Sequence, residues 1–284
     1  MLFFGFYIDP LYLVIFIITL GISIAAQVFM SSTMKKWNQV RNGLDLSGTE
    51  AGYAIVNRTG LGGGTPVSVT TLETPELKKL AELRDKGLVT EQEYLIKKGQ
   101  IKAPQVGDTT VNTSEIEFQH ISGNLTDHYD PRTNTVRLSD GVAERHSVAA
   151  MAIVAHELGH AQQHENNSIL ISIRNFLLPA VTLSPRIAYF LIFIGLIFNL
   201  GGAFWLGVIF YGLMVLFSIV TLPVEFNASS RGRKLLREAG LMVTQEDEAG
   251  SQRVLMAAAS TYVAAAVTAI LQLLYYISIG RRRR

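Results

Sequence analysis

The sequence of 284 residues has no cysteine, so disulfides are excluded and any metal must be held by histidine, carboxylate or backbone groups. Charge is also scarce. Only 17% of residues are charged, against roughly 25% in an average soluble domain. A net charge of +2 is too weak to suggest a nucleic-acid partner. Basic residues are missing ahead of the first apolar run, Leu11 to Thr33, which itself carries no charge. A secretory leader would need a basic start, a shorter apolar run and a small-residue cleavage site. What the chain has instead is apolar surface: 49% of residues are hydrophobic and the mean hydropathy is +0.27, so part of it sits in lipid.

About 20 apolar residues cross a hydrocarbon layer roughly 30 Å thick. Residues 11–33 are therefore a transmembrane anchor. Lys35, Lys36 and Arg41 follow it and place its C-terminal end in the cytoplasm. From Ile187 to Val224 no charge appears in about 38 residues, enough for two spans turning at Asn199-Leu200-Gly201-Gly202. We assign 186–222 to this transmembrane hairpin, 223–253 to a cytoplasmic helical segment and 254–280 to a last transmembrane helix. Arg231, Arg233, Lys234 and Arg237 agree with a cytoplasmic side, whereas Arg281–Arg284 would lie outside if the last segment spans fully. A full span is favoured over a re-entrant one.

Residues 34–185 are mixed and mostly polar, and read as a cytoplasmic domain. Thr49–Asn57 has helical spacing and stops near Gly60, and Val67-Ser68-Val69 starts a short strand. Within 74–103, Pro75 opens one helix that Gly87 closes, and Thr90-Glu91-Gln92-Glu93 caps a second. This helical hairpin is inserted between two strands of a small sheet, the second at Ser114–Gln119. Asp130-Pro131 marks a turn, Thr135–Ser139 alternates like an edge strand, and Ala143 to about Glu165 is a helix.

That helix carries His156-Glu157-Leu158-Gly159-His160. Two histidines four apart share one helix face and can reach one Zn2+. Glu157 is placed to take a proton from metal-activated water as general base. Gly159 leaves space beside the metal. A catalytic site needs a third protein ligand and an open position. His164 is two turns past His156 on a straight helix, too far to share the ion. Glu225 in Leu222-Pro223-Val224-Glu225-Phe226 is the better candidate, because the membrane hairpin delivers a new helix there. The alternative for Glu225 is a helix-initiating carboxylate at the interface.

Four blocks, LTDHYDPRTNTVRLS, AMAIVAHELGHAQQH, TLPVEFNASSR and STYVAAAVTAILQLL, resemble the YugP-type neutral zinc metallopeptidases of bacterial membranes. The resemblance covers the chain except the inserted hairpin. It implies a gluzincin-like metallopeptidase with His156, His160 and Glu225 as ligands and Glu157 as base. The EFNAS block is also similar to the Glu-bearing helix of HtpX-type and prenyl-protein endopeptidases, which have an Asp four residues after the Glu to orient a ligand histidine. Ser229 stands at that position here. In gluzincin-like folds an edge strand pairs with extended substrate, so His128 or Tyr129 could polarise the scissile carbonyl. Alternatively, Asp127 and Asp130 simply cap a tight turn. The hairpin LKKLAELRDKGLVTEQEYLIKKGQI resembles a SHOCT module, which implies an oligomerisation or recruitment role; a solvated hairpin tolerated in a loop is the alternative.

The expected protein is thus mainly α, with about four transmembrane helices and a small α+β gluzincin-like domain. Zinc is its expected cofactor, and its partners are a protein or peptide substrate and the lipid bilayer. A homo-oligomer or a partner held through the hairpin is a further expectation. The expected function is zinc-dependent hydrolysis of peptide bonds in membrane or membrane-proximal proteins, at the cytoplasmic face of the cell membrane. A zinc-holding membrane scaffold is the competing reading. Glu157 argues against it, since structural zinc needs no base, and so does the lack of an evident fourth ligand.

Overall fold

The computed structural model describes residues 2–3, 6–7, 9–64, 79, 82–83, 86–89 and 115–282. In chain order the elements are β1 (Leu2–Phe3), β2 (Phe6–Tyr7), α1 (Pro10–Trp37), α2 (Gly48–Thr59), β3 (Glu117–Ile121), β4 (His128–Asp130) and β5 (Thr135–Ser139). Then follow α3 (Asp140–Ala143), α4 (Val148–Glu165), α5 (Ile169–Ile197), α6 (Gly201–Glu238) and α7 (Gln245–Arg282). They form two compact units: Met1–Ser32, Asn167–Phe226 and Met256–Arg284 in one, Thr33–Asn166 and Asn227–Leu255 in the other.

The first unit is built from the apolar runs. Ala188, Ile192, Phe204, Val208, Tyr211 and Val215 of α5 and α6 bury one another, and Ile270, Leu273 and Ile277 of α7 pack on them. α1 joins at its N-terminal end, where Tyr12 and Tyr275 lie 5.3 Å apart and Asp9 pairs with Arg282. Among the described residues, α1, α6 and α7 are each long and apolar enough to cross a membrane. α5 would be a fourth span, bent by 47° between Ile169–Pro179 and Val181–Ile197. Pro179 explains the bend, because it removes one backbone donor and crowds the preceding turn.

The second unit centres on α4. Val148, Ala149, Ala150, Ala152, Val154 and Ala155 have no exposed surface, so this helix is covered almost all round. α2 supplies Ala51, Ile55 and Val56, β5 supplies Val136 and Leu138, and the end of α6 supplies Leu235 and Leu236, with Ala239 just after it. α2 is bounded as its sequence dictates: Ser47 and Glu50 form a capping box, and Gly60 closes it at φ 71°.

Several expectations are corrected. Thr135–Ser139 is the central strand of the order β3-β5-β4, parallel to β3 and antiparallel to β4, and the edges are Glu117–Ile121 and His128–Asp130 itself. Both faces of β5 are buried, which alternation in so short a segment does not reveal. The strand expected at 114–119 lies at Glu117–Ile121. The helix expected from Ala143 is two: α3 ends there, and α4 starts at Val148 with Ser147 Oγ accepting from Ala150 N. Pro223 and Glu225 do not start a new helix, because α6 runs unbroken through both. The strand at 67–69 and most of the hairpin at 74–103 lie outside the described residues. The described part has Lys79, Glu82 and Leu83 helical, and Gly87 at φ 69° with Leu88 N bonded to Leu83 O, a helix stop as expected.

Candidate metal centre

The centre starts from the crossing of α4 with the Asn227–Glu238 stretch of α6. A Cβ on Gly159 would come within 2.2 Å of Ala228 O, and one on Gly232 within 2.5 Å of Ala155 O. One glycine on each helix therefore lets backbone meet backbone. The space beside Gly159 is filled by α6, not kept free for a metal as its place in the motif had suggested.

This close crossing brings a set of polar side chains into register. Ser229 Oγ lies 3.2 Å from His156 Nδ1, and Gln163 Oε1 lies 3.0 Å from His160 Nδ1. Gln163 Nε2 donates to Asn227 Oδ1 at 2.9 Å, and Arg231 Nε donates to the same oxygen at 2.7 Å. Arg231 Nη1 also donates to Gln162 Oε1. An arginine can only donate, so it fixes the Asn227 amide with its oxygen inward. That turns the Gln163 NH2 toward Asn227 and the Gln163 oxygen toward His160. His160 Nδ1 must then carry its proton, and Nε2 keeps its lone pair for a cation. The Ser229 hydroxyl can accept a proton from His156 Nδ1, and in that tautomer both imidazoles present Nε2.

Glu225 lies two residues before Asn227 on the same unbroken helix and is 2% exposed. Ligand atoms of His156, His160 and Glu225 all lie within 4.8 Å of one another, and these three could hold a metal ion. They are the sole such group of three or more among the described residues. Two imidazoles and a glutamate make one of the ordinary three-ligand sets of catalytic zinc, so the donor chemistry fits that ion. His164 is not in the group; its ring faces that of Tyr129 at 6.1 Å.

Glu157 is 8% exposed, and its Oε2 accepts the backbone N–H of Tyr129 at 3.0 Å. The edge strand β4 thus holds that carboxylate by its main chain, which no sequence motif announces. Tyr129 OH donates to Asn134 Oδ1 at 2.8 Å, and burial raises its pKa. The exposed His128 has Nδ1 2.7 Å from Thr126 O and Nε2 3.5 Å from Arg137 Nη1. A carbonyl only accepts, so His128 Nδ1 carries the proton. Asp127 accepts from Ser139 N and Oγ at 2.8 and 3.0 Å, and burial raises its pKa although those two bonds act to lower it. The Asp130 carboxylate is held below its usual range, first by the Arg132 N–H and then by Arg137.

Of the residues the sequence offers as candidates, the structure brings His156, His160 and Glu225 together and sets Ser229 beside His156. Gln163, Asn227 and Arg231 are not among those candidates, although they lie within the blocks AMAIVAHELGHAQQH and TLPVEFNASSR.

Comparison with known proteins accords with this chemistry. Residues 99–281 match the profile of a family described as "Putative neutral zinc metallopeptidase". The chain is 37% identical over 165 residues to the "Putative membrane protease YugP" of Bacillus subtilis (strain 168), covering 58% of this chain and 73% of that protein. No solved structure matches. The profile starts at residue 99, so α1 and α2 fall outside it, a shorter reach than the sequence blocks had implied.

Proposed function

We propose, from the premise that this chain belongs to the neutral zinc metallopeptidase family, that it is a membrane-bound endopeptidase acting on membrane or membrane-proximal proteins. What carries this reading is the grouping of His156, His160 and Glu225 with ligand atoms within 4.8 Å of one another, while Glu157, the residue after His156, has its carboxylate held by the Tyr129 N–H.

His156 and His160 are the imidazole ligands through Nε2, and Glu225 is the carboxylate ligand. When bound, zinc supplies Lewis acidity to a water and to the scissile carbonyl. Glu157 takes the proton released as that water attacks and passes it to the leaving amine. The Tyr129 N–H bond to Oε2 holds that carboxylate in place. His128, exposed on β4 with its Nδ1 bonded to Thr126 O, is the side chain we assign to polarising the scissile carbonyl.

Residues 11–33, 186–222 and 254–280 are the membrane-embedded segments, and 34–185 with 223–253 form the catalytic part at the cytoplasmic face. Lys35, Lys36, Arg231, Arg233 and Lys234 support that orientation through the positive-inside rule. The inserted hairpin at 74–103 is a contact point for a partner or a second copy.

Wild type and Glu157→Gln, purified in detergent, test the chemistry. Both should hold one zinc per chain, while the Glu157→Gln variant cleaves a denatured membrane protein at least about 100-fold more slowly. Equal rates would remove Glu157 from the mechanism.

A further inference from the structure

The proposed ligand Glu225 has a cationic neighbour that neither the motif nor the family description assigns. Arg174 Nη2 lies 4.0 Å from Glu225 Oε1. Its Nε is buried and has no hydrogen-bond partner among the described residues. Arg174 stands on the first arm of α5, Ile169–Pro179. There Ile169, Ile173 and Phe176 follow the i, i+4, i+7 spacing of one helix face, and all three are exposed. At 100° per residue Arg174 and the buried Ile171 point away from that face. The arm thus turns an apolar side outward and aims its cation inward. The Arg174 side chain is 32% exposed, so its guanidinium is partly desolvated, which costs free energy unless it meets an opposite charge, and Glu225 is the carboxylate paired with it.

We propose that Arg174 is the positioning residue of Glu225: its guanidinium fixes which way the carboxylate faces and so sets how tightly the three-residue group holds zinc. This rests on the assignment of Glu225 as a ligand. A carboxylate free to rotate about its last torsion must lose that freedom when it binds a metal. One already fixed by an outer partner loses less, and removing such partners typically weakens metal affinity by about 10–100-fold. A lysine restores the charge but not the planar fork, so it should recover part of the loss.

The test is zinc affinity of the full-length protein in detergent, read by competition with a chelator, beside the thermal midpoint of the metal-free form. Glu225→Ala should lose zinc. Arg174→Ala should bind about 10–100-fold more weakly while the metal-free form still melts cooperatively, at a lower midpoint, and Arg174→Lys should regain part of the lost affinity. If Arg174→Ala does not fold, Arg174→Gln, which keeps much of the stem, is read in its place. Wild-type affinity in the Arg174 variant, with zinc lost in Glu225→Ala, overturns the role of Arg174 alone. Wild-type affinity in Glu225→Ala overturns the ligand assignment itself. Weak binding that Lys does not improve also overturns the proposal, because an ion pair is then not what matters.

Discussion

Ser229 supplies a hydroxyl at the inner ring nitrogen of His156. A hydroxyl at 3.2 Å from His156 Nδ1 can accept the ring proton and fix the tautomer, but it brings no negative charge. An aspartate in that place would also make the imidazole more basic. Ser229→Ala should therefore weaken zinc binding by about 10–100-fold, measured by chelator competition, while Ser229→Asp retains or tightens it. The Gln163–Asn227–Arg231 chain does the same for His160 at a distance. Gln163 has no exposed surface, so a leucine there would leave the Asn227 amide with one fewer donor and His160 without its acceptor.

Among elements, the crossing of α4 and α6 is the most constrained. Gly159→Ala and Gly232→Ala each drive a methyl into a backbone carbonyl, and neither carbonyl can move without its helix. Each should destabilise by about 1–3 kcal/mol and shed zinc, as thermal melts and metal analysis would read. Gly212 on the same α6 has nothing within 4 Å of its absent Cβ. Gly212→Ala should be neutral or stabilise by up to about 1 kcal/mol. The β4–β5 link brings a pH term. Burial raises the Asp127 carboxyl above its unfolded value, so the folded chain binds that proton more tightly. Stability from this group is then full below the unfolded value and falls as pH rises through the folded one. Asp127→Asn should flatten the dependence of the melting midpoint on pH in the range just above about pH 4. An unaltered slope would show that Asp127 titrates as in the unfolded chain.

For the whole molecule, helix length decides where the chemistry sits. α6 has 38 residues, about 57 Å at 1.5 Å per residue, nearly twice a hydrocarbon thickness of about 30 Å. Glu225 comes 24 residues after Gly201, about 36 Å along, which puts it just past the lipid if the helix enters the bilayer near its start. α7 has the same length and begins in the polar segment Gln245–Glu248. Because the chain has no cysteine, single cysteines report topology cleanly. In intact cells a membrane-impermeant thiol reagent should label Gly201→Cys and Arg281→Cys but not Lys36→Cys. Labelling of Lys36→Cys alone would invert the orientation.

The sequence by itself determined the local features: the α2 helix with its stop near Gly60, the apolar runs, the two histidines on one face with Glu157 between them, and a glutamate at the end of an apolar run. Each is set by neighbours a few residues apart or by composition over about 20 residues, which covalent geometry and lipid thickness translate directly into structure. Only the tertiary structure decided that His128–Asp130 is an edge strand, that its Tyr129 N–H grips Glu157, and that Gly159 admits a carbonyl instead of a metal. It alone paired His156 with Ser229 and His160 with the chain that ends at Arg231. Gln163 is one helical turn from His160, but Ser229 is 73 residues from His156 and Asn227 is 64 from Gln163, and nothing local links those. They meet because two glycine-faced helices cross closely enough to align side chains that each helix alone would leave in water.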